Sequence, residues 1–205
     1  MTSNHSEEIM SHRLRASSAI LFSTAVILGL TVVGSVGTAA NRQPTIVIPY
    51  GATDYKYQVV PVGAGPGFEQ PGFDDSAFAL GDAAFGTPEG GCALNNPRDV
   101  KTPWASGTDI LVRQEFGLPQ GATNVMVNVA IDNDVSVFVN GYDISSGLQM
   151  HELCPSRDSF TFTVPDSILQ VGPNLLAVRG RDRGALAYLD LQVTAEISTS
   201  TRLGR

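Results

Sequence analysis

The chain has 205 residues, of which 42% are hydrophobic, 16% are charged and 21 are glycine. This composition is that of a globular protein, and the length allows one domain with additional segments. The formal net charge of −7 argues against a nucleic-acid partner, because binding to phosphates requires a basic surface.

The N-terminus has the features of an export signal. Three basic side chains (His12, Arg13 and Arg15) precede an uncharged, apolar run over residues 19–37, and small residues follow it. This pattern predicts a cleaved signal peptide over residues 1–40. The alternative is an uncleaved membrane anchor, because the run approaches the ~20 residues that a span requires. Both interpretations place the rest of the chain outside the cytoplasm, either secreted or at the cell surface.

Both cysteines of the chain, Cys92 and Cys154, follow this signal. In an oxidising compartment, two cysteines most simply form one disulfide. The bond would close a loop of about 60 residues and contribute about 4 kcal/mol by restricting the unfolded chain. A metal site that includes His151 is the alternative, although the spacing matches no common Cys/His motif.

The first part of the exported chain is irregular. Residues 41–54 are predicted to be a linker or an edge strand, because their two prolines exclude a central strand. Residues 55–60 are predicted to form a strand. Residues 61–103 are rich in glycine and proline, and so long an irregular stretch inside a domain needs a structural reason. A disulfide at Cys92 or a bound ion would supply one.

Strand signals become regular after residue 108. Residues 124–141 contain two runs with an aliphatic side chain at every second position, one on each side of Asp132-Asn133-Asp134. They predict a β-hairpin whose valine face lies on the core. Further strands are predicted at residues 110–116, 160–164, 174–182 and 185–197, and one helical turn at residues 165–169. Residues 198–205 are predicted to be a flexible tail.

This succession of elements predicts the fold class. Six or seven short strands, with turn signals about every 8–12 residues and no long amphipathic helix, are typical of an all-β protein. We therefore predict an antiparallel β-sandwich without internal repeats and without a second domain.

Several short motifs follow one another in an order found in known sandwiches. They are Phe73-Asp74-Asp75-Ser76-Ala77-Phe78, Ala84-Phe85-Gly86, Leu118-Pro119-Gln120-Gly121-Ala122, Val137-Phe138-Val139-Asn140-Gly141, Asn174-Leu175-Leu176-Ala177-Val178, Asp182-Arg183-Gly184 and Tyr188-Leu189-Asp190. In this order they resemble a galactose-binding-domain-like jelly roll, similar to the N-terminal sugar-binding domain of glycoside hydrolase family 2 enzymes. The resemblance covers residues 55–197. One departure is Phe78, where such segments more often have Trp.

The resemblance implies a non-catalytic module that binds carbohydrate or holds a larger assembly together, although a fold alone does not establish a ligand. It also implies a structural Ca²⁺ between an early loop and the last strand. Asp74 and Asp75 lie in that loop, and Asp190 is predicted to project outward from the last strand. Carboxylate oxygens suit Ca²⁺. Alternatively, the Asp pair closes a turn, and Asp190 is a surface residue or pairs with Arg183.

A sugar site needs an exposed aromatic face and polar groups that bind hydroxyls. Trp104 and Tyr142 in loops are the candidate aromatic residues, and His151, Glu152 and Arg183 are the candidate polar residues. Trp104 has an alternative role inside the core. His151 and Glu152 have an alternative role in a solvated loop beside the disulfide.

The sequence contains no catalytic motif of the GxSxG, HExxH or phosphate-loop type. We therefore expect a secreted or cell-surface binding module for carbohydrate, without enzymatic activity. The alternative is a structural or protein-interaction component of the cell envelope, and a glycoside hydrolase is a third hypothesis. We expect any binding site in residues 61–103 and 142–154, because the predicted disulfide brings these two segments together.

Overall fold

The computed structural model describes residues 42–198. They form two six-stranded sheets. The first sheet contains β1 (Arg42–Ile48), β4 (Phe85–Gly86), β5 (Thr102–Pro103), β7 (Thr123–Asp132), β10 (Phe160–Thr163) and β12 (Tyr188–Ser198). The second contains β2 (Tyr55–Val60), β3 (Ala79–Gly81), β6 (Asp109–Leu118), β8 (Asp134–Val139), β9 (Tyr142–Asp143) and β11 (Gly172–Arg181). A single 3-10 turn, Asp166–Ile168, precedes β11.

The strand order is β10-β7-β12-β4-β5 in the first sheet, with β1 also paired to β12, and β3-β2-β6-β11-β8-β9 in the second. All pairings are antiparallel except β4 with β5. The predicted all-β sandwich is therefore confirmed. Within residues 42–198, no helix has the length and apolar character needed to cross a membrane.

The core lies between the sheets and follows the predicted alternation. One face of β6, β7, β8, β11 and β12 contributes aliphatic side chains that are almost completely buried, and these side chains meet across the sandwich. They include Val125, Val127, Val129 and Ile131 of β7, Val135, Val137 and Val139 of β8, and Leu189, Leu191 and Val193 of β12. Removing this apolar surface from water is the main stabilising contribution to the fold.

The predicted hairpin at residues 124–141 is wrong. β7 pairs with β10 and β12 in the first sheet, whereas β8 pairs with β11 and β9 in the second. Asp132-Asn133-Asp134 is therefore a corner at which the chain crosses from one sheet to the other. Both arrangements place the valines of both strands on the core, so the alternation of side chains does not distinguish a corner from a hairpin.

The predicted linker at residues 41–54 contains a strand of the sandwich. β1 runs antiparallel to β12, from Arg42 opposite Ser198 to Ile48 opposite Val193. It has no other strand partner among the described residues, as the edge-strand alternative expects. The sandwich thus begins at Arg42 and not at Tyr55. The predicted signal segment and the tail beyond Ser198 lie outside the described residues.

The irregular stretch at residues 61–103 covers the outer faces of both sheets. Its first half packs Phe68 against Leu111 and Ala177 of the second sheet. Its second half packs Ala84 and Val100 against the first sheet. The stretch is long because each sheet has apolar side chains on both faces, and both faces require cover.

Candidate functional site

Trp104 belongs to the core and not to a binding surface. Its side chain is 1% exposed and packs within the main hydrophobic cluster. The indole Nε1 donates a hydrogen bond to Thr108 Oγ1 at 3.1 Å. No face of the ring is open to a sugar, so the stacking role predicted for Trp104 is wrong and its alternative role in the core is correct.

Tyr142 is 61% exposed, but it lies apart from the other candidate residues. It pairs with Val139 at one end of β8, whereas Arg183 contacts Asp134 at the other end. Five residues of extended strand separate these ends by about 17 Å. Tyr142 and Arg183 therefore cannot contact the same sugar ring.

His151, Glu152 and Arg183 do come together. The Arg183 guanidinium lies 2.7 Å from Glu152 and 3.1 Å from Asp134, and it donates a hydrogen bond to the carbonyl oxygen of His151 at 3.1 Å. The His151 ring packs edge-on against Phe160. The charge of Arg183 is thus matched by two carboxylates, and the cluster resembles a surface ion pair more than a ligand site.

The three proposed calcium ligands have other partners. Asp74 accepts a hydrogen bond from the Ser76 backbone N–H at 3.0 Å, as the turn-closing alternative expects. Asp75 forms ion pairs with Lys56 at 2.6 Å and Arg113 at 2.8 Å.

Asp190 is the third of these residues, and it is 6% exposed instead of projecting into solvent. No group of three or more His, Cys, Asp or Glu side chains suited to a metal ion occurs within residues 42–198. This arrangement does not fit the expected calcium site. Calcium binding stays a prediction, which the dependence of the melting temperature on EDTA would test.

The predicted disulfide between Cys92 and Cys154 is confirmed. The two Cα atoms are 5.4 Å apart, and 62 positions separate the residues in sequence. The bond ties the second half of the irregular stretch to the segment before β10, on the outer side of the first sheet.

A pocket of about 150 Å³ lies next to this tether, over the start of β12. We call it the Asp190 pocket. Its main lining side chains come from four segments that are distant in sequence. They are Tyr50 in the first, Leu94, Arg98, Asp99 and Lys101 in the second, Arg157 in the third, and Tyr188 and Asp190 in the fourth. The lining therefore combines aromatic rings, three cations and two carboxylates.

Asp190 forms the floor of the Asp190 pocket. Its carboxylate accepts hydrogen bonds from the Gly51 backbone N–H at 3.0 Å and from the Leu191 backbone N–H at 2.8 Å. Burial raises the pKa of this carboxyl to about 6, although the two backbone hydrogen bonds and the charge of Arg157 act in the opposite direction. Near pH 6, Asp190 can therefore either accept or donate a hydrogen bond.

Tyr50 and Arg157 form one wall. The Arg157 guanidinium lies over the Tyr50 ring, 5.2 Å from its centroid. The Tyr50 hydroxyl donates to Asp158 Oδ1 at 2.6 Å and accepts from the Asp158 backbone N–H at 3.1 Å. Burial raises the pKa of Tyr50, so the phenol stays neutral. The result is a cation–π contact that holds a guanidinium, with its N–H donors, against the wall of the pocket.

Arg98, Asp99 and Lys101 form the opposite wall. Asp99 accepts from Asn96 Nδ2 at 2.6 Å and forms an ion pair with Arg98 at 3.3 Å. These hydrogen bonds, led by that of Arg98, lower the pKa of Asp99. The Lys101 ammonium donates to the carbonyl oxygen of Arg98, and the rest of its side chain is exposed.

Two of the larger depressions on the described part of the chain lack this combination of aromatic rings, cations and carboxylates. A depression of about 640 Å³ beside β1 and the end of β6 has only Asp54 and Glu115 as charged side chains, and its one ring, Phe116, is 6% exposed. In a depression of about 290 Å³, the two cations Lys56 and Arg113 are already paired with Asp75.

No protein-family model and no curated protein matches the sequence. Solved structures do match the fold. A calcium-binding mutant of Bacteroides uniformis beta-glucuronidase 2 aligns with 76% of this chain at 17% identity and a TM-score of 0.52. The crystal structure of Bacteroides uniformis beta-glucuronidase aligns with the same share at 17% identity and a TM-score of 0.51. The chain spans 18% of the length of each. At this identity the similarity shows the fold alone.

The sequence predicts a binding site in residues 61–103 and 142–154. The first of these segments contributes to the lining of the Asp190 pocket, and the second does not. Lys101 and Asp99 lie in the irregular stretch, and Arg157 follows Cys154 closely, so the disulfide was the useful signal. Tyr50 was missed because it lies in the segment interpreted as a linker. Asp190 was selected as a metal ligand, for a reason that the structure does not support.

Proposed function

We propose that this chain is a secreted or cell-surface, non-catalytic module that binds carbohydrate, and that one sugar residue occupies the Asp190 pocket. The observation that carries the proposal is the convergence of Arg157, Lys101 and Asp190 beside a tyrosine ring in one concave site. Sugars present several hydroxyl groups and one flat apolar face, which is the chemistry that such a lining complements.

The volume of the Asp190 pocket limits the size of the ligand that it can hold. Its volume of about 150 Å³ is below the roughly 300–1,000 Å³ of sites for drug-sized ligands. A single sugar ring at the end of a chain or on a branch suits this space. Arg157 and Lys101 would donate to ring hydroxyls, and Asp190 would bind one hydroxyl at the floor.

The geometry of the two pocket carboxylates supports binding more than catalysis. Asp99 is held by Arg98 and Asn96, and Asp190 faces backbone N–H groups at the bottom of the site. The disulfide supports the extracellular part of the proposal, because such bonds persist in oxidising compartments.

A glycan array probed with the full chain tests this proposal. We expect binding to a restricted set of glycans, lost in Arg157→Ala and reduced in Asp190→Ala. Tyr142→Ala is the matched control, because this exposed tyrosine lies outside the Asp190 pocket and its removal should leave binding unchanged. An array without signal would contradict the proposal, and release of sugar from an aryl glycoside would contradict its non-catalytic part.

A second candidate function is interaction with a protein of the cell envelope. The segment at residues 142–153 exposes four apolar side chains: Tyr142 (61%), Leu148 (39%), Met150 (63%) and Leu153 (75%). Exposed apolar groups in one segment are typical of contact surfaces. This function predicts a complex with an envelope protein that can be captured by cross-linking. The double variant Met150→Ser with Leu153→Ser should abolish the complex, whereas Arg157→Ala should retain it.

A further inference from the structure

We propose that the sugar residue held in the Asp190 pocket carries an anionic substituent, a carboxylate or a sulfate, that Arg157 and Lys101 bind. This inference rests on the proposed carbohydrate function and narrows its ligand class.

The first argument is the state of the cations in the described part of the chain. Among residues 42–198, six of the nine lysine and arginine side chains lie within ion-pair distance of an Asp or Glu side chain. The exceptions are Arg42, Lys101 and Arg157. Two of these three line the same pocket, on a chain whose net charge is −7. Lys101 acts on Asp99, and Arg157 acts on Asp190, only through the longer-range effect of their charges. Without a direct ion pair, both cations keep the capacity to bind an external anion.

The second argument is the local environment of Arg157. The carboxylate of its neighbour Asp158 accepts the Tyr50 hydroxyl hydrogen bond at 2.6 Å. The Arg157 guanidinium instead lies over the Tyr50 ring, and it forms no ion pair with an Asp or Glu side chain within residues 42–198. A guanidinium edge matches the two oxygens of a carboxylate or sulfate, which is the strongest type of hydrogen-bonded pair available to it.

Lys101 supplies the second cation from the opposite wall. Its ammonium has three donors, and the Arg98 carbonyl oxygen accepts one. Asp99, two residues earlier, is already bound by Arg98 and Asn96. Lys101 therefore keeps donors for a ligand that lies between it and Arg157.

Asp190 makes this anion site sensitive to pH. The ionisable groups that face it are Tyr50, Tyr55, Tyr188, Asp99 and Arg157. Its carboxylate would repel a bound anion, whereas its protonated form would donate a hydrogen bond. Because burial raises the pKa of Asp190 to about 6, we expect an anionic sugar to bind more tightly at pH 5 than at pH 7.5.

The test is a set of NMR titrations of the full chain with matched sugars. Galactose, glucose and mannose are each compared with their uronate and their 6-sulfate, which change only the substituent at C6. We expect an anionic member of one series to bind at least about tenfold more tightly than its neutral parent, because a charge-assisted hydrogen bond adds that much. Preference for the uronate or for the 6-sulfate identifies the anion.

Variants then show which cations cause the preference for the anionic sugar. Arg157→Gln and Lys101→Gln should each reduce the anionic preference to a few-fold. Arg42→Gln makes the same change of charge about 27 Å away along β12, and it should leave the preference intact. An equal effect of all three variants would show attraction by overall charge and would overturn the inference.

The failures of the two proposals are distinguishable. Binding of a neutral sugar as tightly as its anionic analogues, with loss in Arg157→Ala, would overturn the anionic class and leave the carbohydrate function standing. Failure of all nine sugars together with a blank glycan array would overturn both.

Discussion

Trp104 fills the space between the two sheets at the edge of the core. An added Cβ at Gly180 would lie 3.0 Å from the indole Cη2 and equally close to Ile110. Glycine at position 180 therefore makes room for the largest side chain of the core. The hydrogen bond from the indole to Thr108 satisfies the one polar atom of the ring.

Replacement of Trp104 should be costly for stability. We expect Trp104→Ala to lower the free energy of unfolding by about 3–5 kcal/mol, because the cavity cannot collapse between two sheets. Tyr142→Ala, at an exposed position, should change it by less than about 0.5 kcal/mol. Urea denaturation measures both, and Trp104→Phe serves if the alanine variant does not fold. Equal stability losses at the two positions would contradict these assignments.

Asp190 shows the limit of side-chain periodicity at the level of one residue. The alternation in β12 correctly places Asp190 on the face opposite to Leu189 and Leu191. Periodicity says which face of a sheet a residue is on, but not whether a distant segment covers that face. Here Gly51, in the segment between β1 and β2, contacts Asp190, and the residue expected in solvent is 6% exposed.

Side-chain periodicity is also limited in what it predicts about whole strands. The strands themselves could be predicted, because alternation and turn residues are local signals. The partners of β7 and β8 could not, because Asp132-Asn133-Asp134 is compatible with a hairpin and with a corner between sheets. The Asp190 pocket depends on packing between segments that are distant in sequence. In the sequence, only the two cysteines indicate that these distant segments are in contact.

The disulfide should stabilise both the fold and the Asp190 pocket. We expect the double variant Cys92→Ser with Cys154→Ser to lose about 2–4 kcal/mol of unfolding free energy, because the unfolded chain regains the freedom of a long loop. Sugar binding should weaken as well, because the wall that carries Asp99 and Lys101 loses its tether. Urea denaturation and the glycan array measure the two effects.

Chemical reduction of the disulfide provides the control for this prediction. Dithiothreitol should destabilise the natural chain by about the same amount and leave the double variant unchanged. Full stability of the reduced natural chain would show that packing of Val100 and Ala84 alone holds the irregular stretch.

At the scale of the molecule, two kinds of carboxyl group have opposite effects on how the free energy of unfolding depends on pH. Burial raises the pKa of Asp132 and of Asp190 to about 6. Asp75 and Asp109 have lowered pKa values, although burial acts to raise both. Hydrogen bonds from Lys56 and Arg113 lower the pKa of Asp75. Hydrogen bonds from Arg181 and other donors lower the pKa of Asp109. The first kind binds protons more tightly in the folded state, and the second kind more weakly.

These shifts predict a maximum of stability near pH 4–5. Carboxyls with a raised pKa lose stability as the pH rises from the unfolded value near 4 through about 6. Carboxyls with a lowered pKa lose it as the pH falls below about 4. Between pH 5 and pH 8 we expect the unfolding free energy to fall by about 3 kcal/mol, about half of it from each of Asp132 and Asp190.

The net charge of −7 would act in the same direction, because repulsion between carboxylates grows as the pH rises. The variant Asp132→Asn with Asp190→Asn separates the two causes. It removes both buried carboxyls, and an asparagine at position 190 keeps an oxygen that can accept the hydrogen bonds from Gly51 and Leu191. If the buried carboxyls are the cause, urea midpoints of this variant should be nearly constant from pH 5 to pH 8. If the decline persists in the variant, overall repulsion is the cause, and high salt should then abolish it.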